Sequence, residues 1–321
     1  MIEAVLLKHL QSQEDKLSPF LATYYGKMAI FNQSAPADTD IGWGVEQGYE
    51  PDPEYEDEEE LEKYSQYGRI IFAVDLSEDP ERIYSGTLAV DVQCEDGMQV
   101  PEEMEPIVRE LIDGYFFSTS DITFAAQWSA SNYFTEPTEK IVGVTLTFGL
   151  LAFPKQTTIE PDPIRLINKW TKEELTKIID RDIIVIGCDA LNEAWKPTAE
   201  TPAIYWRLAS TDKCSWIPDT FNCSWRTAVV FGHIITPDKD VCGIIARYIG
   251  RTLTRKKRLI FEDISPLMVD RNIRINLGSD EFRTGQITID ATYGLLAEQA
   301  PYNPVKNISI EEKEGPSWHL M

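Results

Sequence analysis

The side chains of this 321-residue chain that could do chemistry are its histidines, cysteines, carboxylates and clustered cations. General-base catalysis or metal binding would call on His9, His233 and His319, but none has a second His or a Cys at metal-ligand spacing. His233 falls in an alternating pattern, where it reads either as a hydrogen-bonded, partly buried side chain or as a general base. The cysteines are Cys94, Cys188, Cys214, Cys223 and Cys242, an odd number with no C-x-x-C pair. Neither a disulfide framework nor a zinc knuckle is expected from them, and they read as small apolar residues. The chain has no G-x-S-x-G, no Walker lysine and no G-x-G-x-x-G. Gly42-Trp43-Gly44 leads into acidic residues rather than a helix, the wrong context for phosphate. With 53 acidic side chains, some carboxylates lie close together by chance, so no acid/base dyad follows. No catalytic, cofactor or metal residue is assigned, and the chain is expected not to be an enzyme.

Two charge clusters stand out instead. The segment Glu46 to Lys63 holds ten acids and one base, among them Glu54, Glu56, Asp57, Glu58, Glu59 and Glu60, and it lacks apolar periodicity. It reads as a surface insertion, either a solvated loop, a docking element for a basic neighbour, or the lining of a channel that must not hold nucleic acid. Further on, Arg251, Arg255, Lys256, Lys257 and Arg258 put five bases within eight residues. Cations at the end of a helix favour its dipole. The alternative is a docking patch for an acidic surface, for which the insertion of a neighbouring copy is the obvious candidate. The net charge of -23 disfavours nucleic-acid backbones and anionic lipid, so the partners should be proteins. No stretch reaches the roughly 18 to 20 apolar residues of a membrane span, and the first residues lack a basic leader, so a cytoplasmic site of assembly is expected.

An internal repeat supplies the elements that position these clusters. Thr147-Phe148-Gly149-Leu150-Leu151-Ala152 matches Thr292-Tyr293-Gly294-Leu295-Leu296-Ala297 at five of six positions. The alternating residues Val142, Val144, Leu146 and Phe148 correspond to Ile287, Ile289, Ala291 and Tyr293, half-buried strands in both copies. Upstream, Pro106 to Ile112 and Gly243 to Ile249 read as amphipathic helices, introduced by Pro101 and Pro106 and by Thr236-Pro237-Asp238. Before each comes an alternating strand, Leu88, Val90, Val92 and Cys94 in one copy and Val229, Phe231, His233 and Ile235 in the other. Earlier still, Ala29-Ile30-Phe31 answers Ala203-Ile204-Tyr205. Both halves begin with helical patterns, the first with Ile2, Val5, Leu6 and Leu10, the second with the capping-box match Thr171-Lys172-Glu173-Glu174.

Each copy therefore reads helix, three strands, helix, two strands. The expected fold class is α+β: two tandem related domains, each a mainly antiparallel sheet packed with helices. Residues 1–153 form the first domain with the insertion at 46–63, 154–163 a linker, 164–299 the second domain and 300–321 an extended tail whose Trp318 joins the candidate interface residues. The acidity divides unevenly: residues 1–155 hold 30 acids and 9 bases, the remainder 23 and 21.

Several segments of the first half resemble prophage-encoded tail-completion proteins, the tail terminator family of long-tailed bacteriophages. They are the opening Met1 to Leu10, Ala35-Pro36-Ala37-Asp38-Thr39-Asp40, Tyr67-Gly68-Arg69-Ile70-Ile71-Phe72-Ala73-Val74-Asp75, Asp79-Pro80-Glu81-Arg82 and Ser85-Gly86-Thr87-Leu88. The resemblance covers residues 1 to 153, with a weaker echo in the second half. It implies a virion protein of the head-tail joint: a ring, commonly of six subunits, that caps the tail tube and docks to the head connector or stopper. The tail sheath is a further partner, and DNA only passes through the lumen. The second domain, the insertion and the long tail depart from the family pattern and leave open an adjoining neck or adaptor component. A cytoplasmic hydrolase using His233, or an adaptor docking a basic protein through Glu46 to Glu62, are the readings from other classes. Because the two halves differ so much in charge, a ring of six chains with the domains in separate layers is expected, rather than three chains with alternating domains.

Overall fold

A computed structural model describes residues 2–38, 40, 42–44, 68–79, 82–95, 100–138, 140–156, 161–189, 191–220 and 222–296. The first half opens with α1 (Ile2–Gln11) and the single turn α2 (Glu14–Leu17). A small hairpin, β1 (Thr23–Tyr24) and β2 (Lys27–Met28), leads into β3 (Ile30–Asn32), then β4 (Arg69–Asp79) and β5 (Arg82–Glu95). Helix α3 (Val100–Ile112) follows, then β6 (Phe116–Ser118), β7 (Ile122–Glu136) and β8 (Ile141–Pro154).

The second half has α4 (Pro163–Trp170), a π turn at Thr171–Leu175 and α5 (Thr176–Ile179). Then come β9 (Ile184–Val185), β10 (Ala194–Trp195), β11 (Ala203–Lys213) and β12 (Cys223–Ile235). Helix α6 (Lys239–Lys256) precedes β13 (Arg258–Ile260), β14 (Pro266–Ile275) and β15 (Ile287–Leu296).

The fold is α+β, two sheet-rich halves with curled sheets, and one strand order serves both. The first sheet runs β6-β7-β8-β5-β4-β3 and the second β13-β14-β15-β12-β11-β9. In each, the last-named edge strand is parallel to its neighbour, Ile30 beside Ile70 and Ile184 beside Ala203, and every other pairing within the repeat is antiparallel. The first sheet has a seventh strand: β10, from the second half, pairs with the outer edge of β6.

One face of each sheet is covered by its own helices. Leu6 and Leu10 of α1, with Met104, Val108 and Leu111 of α3, bury against Phe72, Val90 and Phe148. In the second half Ile164 and Ile167 of α4, with Ile245, Ile249 and Leu253 of α6, bury against Trp206, Val230 and Tyr293. The spacing of these helix residues by three and four gives each helix one apolar stripe, which the sheet removes from water.

Where the chain departs from the sequence-based expectation, the reason is local. Pro106 does not start a helix; α3 begins at Val100 and carries Pro106 inside it, on the exposed side. Thr171 is not a cap either. Asp162 caps α4, its Oδ1 accepting the N–H of Ile164 (2.8 Å) and Arg165 (3.1 Å) ahead of Pro163, while Thr171 is fully buried in the π turn and donates its hydroxyl to Ile167 O. Each copy has a third short strand after its second helix, β6 and β13, too short for an alternating pattern to reveal. Ala203-Ile204-Tyr205 lies in β11, the counterpart of β4, whereas the counterpart of β3 is Ile184–Val185. Finally, β8 extends through Pro154, so the connection between the halves starts one residue later than expected.

The phase of β12 also differs. Leu88 pairs with Phe148 and Arg226 pairs with Tyr293, which makes Val92 the counterpart of Val230 and Cys94 the counterpart of Gly232. The helix-facing residues of β12 are therefore Ala228, Val230 and Ile234, not Val229, Phe231 and His233. Gly232 breaks the apolar alternation because the indole of Trp206, directly opposite on β11, fills its place. The Trp206 Nε1 donates to Thr171 Oγ1 at 2.9 Å, which satisfies both buried polar groups.

Candidate assembly interface

The acidic candidates Glu54, Glu56, Asp57, Glu58, Glu59 and Glu60 lie outside the described residues, as does Trp318. The nearest described residues before and after the insertion, 42–44 and 68–79, make several side-chain contacts. Arg69, at the start of β4, is 8% exposed; its guanidinium pairs with Asp38 at 2.8 Å and donates from Nε to Gln93 Oε1 at 2.9 Å. Trp43 is buried edge-on in a three-ring cluster with Tyr24 and Phe31, ring centroids 5.3 and 5.7 Å away, and its Nε1 donates to Ala37 O at 3.0 Å. Two of the segments that carry the family resemblance, Ala35 to Asp40 and Tyr67 to Asp75, are thus tied together by the Asp38–Arg69 pair. The described residues nearest the insertion in sequence, 42–44 and 68–69, both lie at this corner of the first sheet.

The basic candidates all sit at one end of α6. Arg251, Arg255, Lys256, Lys257 and Arg258 are exposed. Lys257 ends the helix in the left-handed region (φ 60°) with its N–H on Leu253 O at 2.8 Å, and Arg258 begins β13. Lys256 is engaged within the chain, its Nζ 2.5 Å from a carboxylate oxygen of Glu174. Among the described residues no acid pairs with the other four. Arg251, Arg255 and Lys256 rim a shallow groove between α5 and α6 floored by Ile178 and Tyr248. Tyr248 falls within the amphipathic pattern of Gly243 to Ile249, and α6 turns it and Ile244 outward. This end of the second domain is cationic with an apolar floor, in a chain that is otherwise strongly acidic.

Beside it lies a sheet edge, β13, that pairs on one side only among the described residues. Lys257 O accepts from Val269 N and Phe261 N donates to Ser265 O, so the intervening Leu259 also faces β14. Arg258 and Ile260, the alternate residues, direct their peptide groups outward. Ile260 is 47% exposed there. The equivalent edge of the first sheet is covered: Ala194 and Trp195 pair with Phe117 and Phe116, Trp195 stacks on Phe116 with centroids 4.7 Å apart, and its Nε1 donates to Ser118 Oγ at 2.8 Å.

The halves meet through a third apolar cluster. Phe116, Ala125, Leu151 and Phe153 of the first sheet bury against Ile186, Ala203, Tyr205 and Ile235 of the second. The Phe153 and Tyr205 rings meet edge to face at 5.1 Å, and the Tyr205 hydroxyl donates to Pro154 O at 2.9 Å. The two partners use different surfaces. The first domain contributes the β6-β7-β8 side, the second its β9-β11-β12 side, so the contact is head to tail.

His233 lies in this junction, fully buried, with Nδ1 2.8 Å from Glu281 O and its ring beside those of Tyr205 and Phe153, centroids 5.6 and 6.3 Å away. His9 is half-buried on α1, its Nε2 donating to Leu111 O at 2.8 Å. Burial lowers the His9 pKa below its ordinary value, and the hydrogen bond opposes this only in part. Among the described residues no group of His, Cys, Asp and Glu could hold a metal ion, and no helix is long and apolar enough to cross a membrane.

Sequence reasoning missed a second cationic surface. Arg207, Arg274 and Arg283 line a broad groove on the outer side of the second sheet, with the Arg207 guanidinium 5.2 Å from the centre of the Phe231 ring. Each arginine stands alone in the sequence. Only the outward phase of β11 and β14, read together with their pairing, brings them to one place. No protein-family model matches the sequence, and no curated protein matches it.

Proposed function

We propose that the chain is a ring-forming structural protein of a phage head-tail joint, a tail terminator that caps the tail tube and docks to the head connector. The observation that carries this is the head-to-tail packing of two domains with one strand order. Units joined through unlike faces leave one of each face unused at the ends, and such units assemble into closed rings or filaments. The resemblance of residues 1 to 153 to tail terminators supplies the biological setting. Two of the segments that carry it meet at the Arg69–Asp38 pair, which supports a shared local structure there. An adjoining neck position is the neighbouring alternative, since the second domain and the insertion exceed the family pattern.

The test is direct. The purified full-length chain should form rings visible in negative stain, and adding it to polymerising tail-tube protein should stop tube growth at one end. A chain that stays monomeric at every concentration and leaves tube length unchanged would refute the reading.

A further inference from the structure

We infer that the open edge of β13, with the basic end of α6 beside it, receives the acidic insertion of a second copy of this chain, which adds to the second sheet as β10 adds to the first. This deepens the ring reading and rests on it for the presence of a second copy.

The argument starts from the shared strand order. In the second half, the connection from β9 to β11 crosses to the first sheet and lays β10 along β6. The counterpart of β6 is β13, and the counterpart of the β9–β11 connection is the β3–β4 connection, residues 33–68, which contains the insertion. The face beside β13 is prepared in the same way as the face beside β6. Leu151 is 5% exposed inside the junction of the halves, while Leu296, its equivalent in the repeat, is 62% exposed, and Ile260 on the edge is 47% exposed. The first domain thus buries this face against the second, and among the described residues nothing covers it in the second domain.

Charge selects the occupant. Ten acids between Glu46 and Lys63 would meet Arg255, Lys257 and Arg258, none of which has an acidic partner among the described residues. Backbone pairing along an edge strand gives affinity, and complementary charge fixes which partner arrives. Lys256 is not needed, since Glu174 already holds it.

The experiment uses the full-length chain and follows self-association by sedimentation and native mass spectrometry. Variant one carries Arg255→Glu, Lys257→Glu and Arg258→Glu; variant two carries Glu54→Lys, Glu56→Lys, Glu58→Lys and Glu60→Lys. Each alone should raise the dissociation constant at least tenfold at low salt, and mixing the two should restore association between unlike chains. Ile260→Pro provides an independent check: its N–H faces outward, so proline removes no internal hydrogen bond yet blocks strand addition. A wild-type chain that associates while these variants associate equally well would overturn this interface and leave the ring reading standing. A monomeric wild type would overturn both. Variant one losing thermal stability with unchanged association would place the insertion of the same chain on β13, and loss of association only on reversing Arg207, Arg274 and Arg283 would move the contact to the outer groove; either result would overturn the inference.

Discussion

Leu151 and Leu296 occupy the same position of a duplicated strand, but Leu151 is closed into the junction between the halves at 5% exposure and Leu296 is open at 62%. Identical residues in equivalent strands have different surroundings because the chain supplies only one head-to-tail contact for two domains. That asymmetry sets the first expectation. Leu151→Ala should destabilise the chain by roughly 2 to 4 kcal/mol, the range for a buried leucine that leaves a cavity. Leu296→Ala should change monomer stability by less than about 0.5 kcal/mol while weakening association. Denaturant unfolding beside sedimentation separates the two effects.

The junction also predicts how the halves unfold. Phe153 touches Tyr205 across it, and the Tyr205 hydroxyl reaches back to Pro154 O. Removing the ring with Phe153→Ala takes away apolar area shared by both sheets, at a loss of about 3 to 5 kcal/mol. The two helix-covered cores stay intact, so the halves should then melt in separate steps. Calorimetry of the variant should resolve two transitions where the wild type shows tighter coupling; one unchanged transition would show that the junction does not couple them.

The parts of this fold that could be read in advance are those where one face of a strand or helix is filled by its own residues. Leu88, Val90, Val92 and Cys94 are all buried as their alternation implies. The reading failed where the filling comes from elsewhere. Gly232 carries no side chain and Trp206 covers its position, so the apolar residues that caught the eye in β12 were those of the opposite face, which serve the junction and the outer groove. Thr171 matched a capping pattern because Thr and Glu have the required spacing, yet Asp162, nine residues earlier, is the cap, ahead of Pro163. The two charge clusters were visible as runs. The open edge beside the basic run was not, because a three-residue strand has no period.

His9 gives a pH dependence with a definite sign. Its pKa is lowered by burial, so at mildly acidic pH the unfolded chain binds this proton more readily than the folded one, and stability rises with pH. The contribution is fully present above the ordinary histidine value of 6.5 and is lost progressively as pH falls below it. Thermal melts between about pH 7.5 and 5.5 should show this slope, and His9→Gln should flatten it. An unchanged slope would assign the effect to other groups.

The insertion offers a prediction about stability and assembly together. Glu46 to Glu62 has no apolar face of its own. The nearest described residues have contacts of their own, Arg69 with Asp38 and Trp43 with Tyr24 and Phe31. Replacing the segment by a short Gly/Ser linker should therefore leave the melting temperature within a degree or two, since loop length changes chain entropy only slowly, and should weaken association. A large fall in melting temperature would show that the segment is part of the core.

The number of chains in the ring turns on the same geometry. Charge alone argued for six chains, on the premise that domains as unlike as these cannot alternate around one ring. The junction removes that premise. Within one chain the domains already meet head to tail through an apolar contact, and the contact inferred between chains uses the equivalent edge with unlike side chains, a basic edge against an acidic insertion. Alternation then requires two kinds of contact rather than one repeated contact, and the charge difference between the halves becomes a reason for alternation. If the joint needs six terminator-like positions, as the family resemblance implies, three two-domain chains fill them. We expect native mass spectrometry of the assembled ring to give the mass of three chains, with threefold symmetry in images that approaches sixfold at low detail. A mass of six chains would restore the layered arrangement. The mixture of the two charge-reversed variants then distinguishes the cases further, because chains that pair only with the unlike variant can close an even ring but not a ring of three.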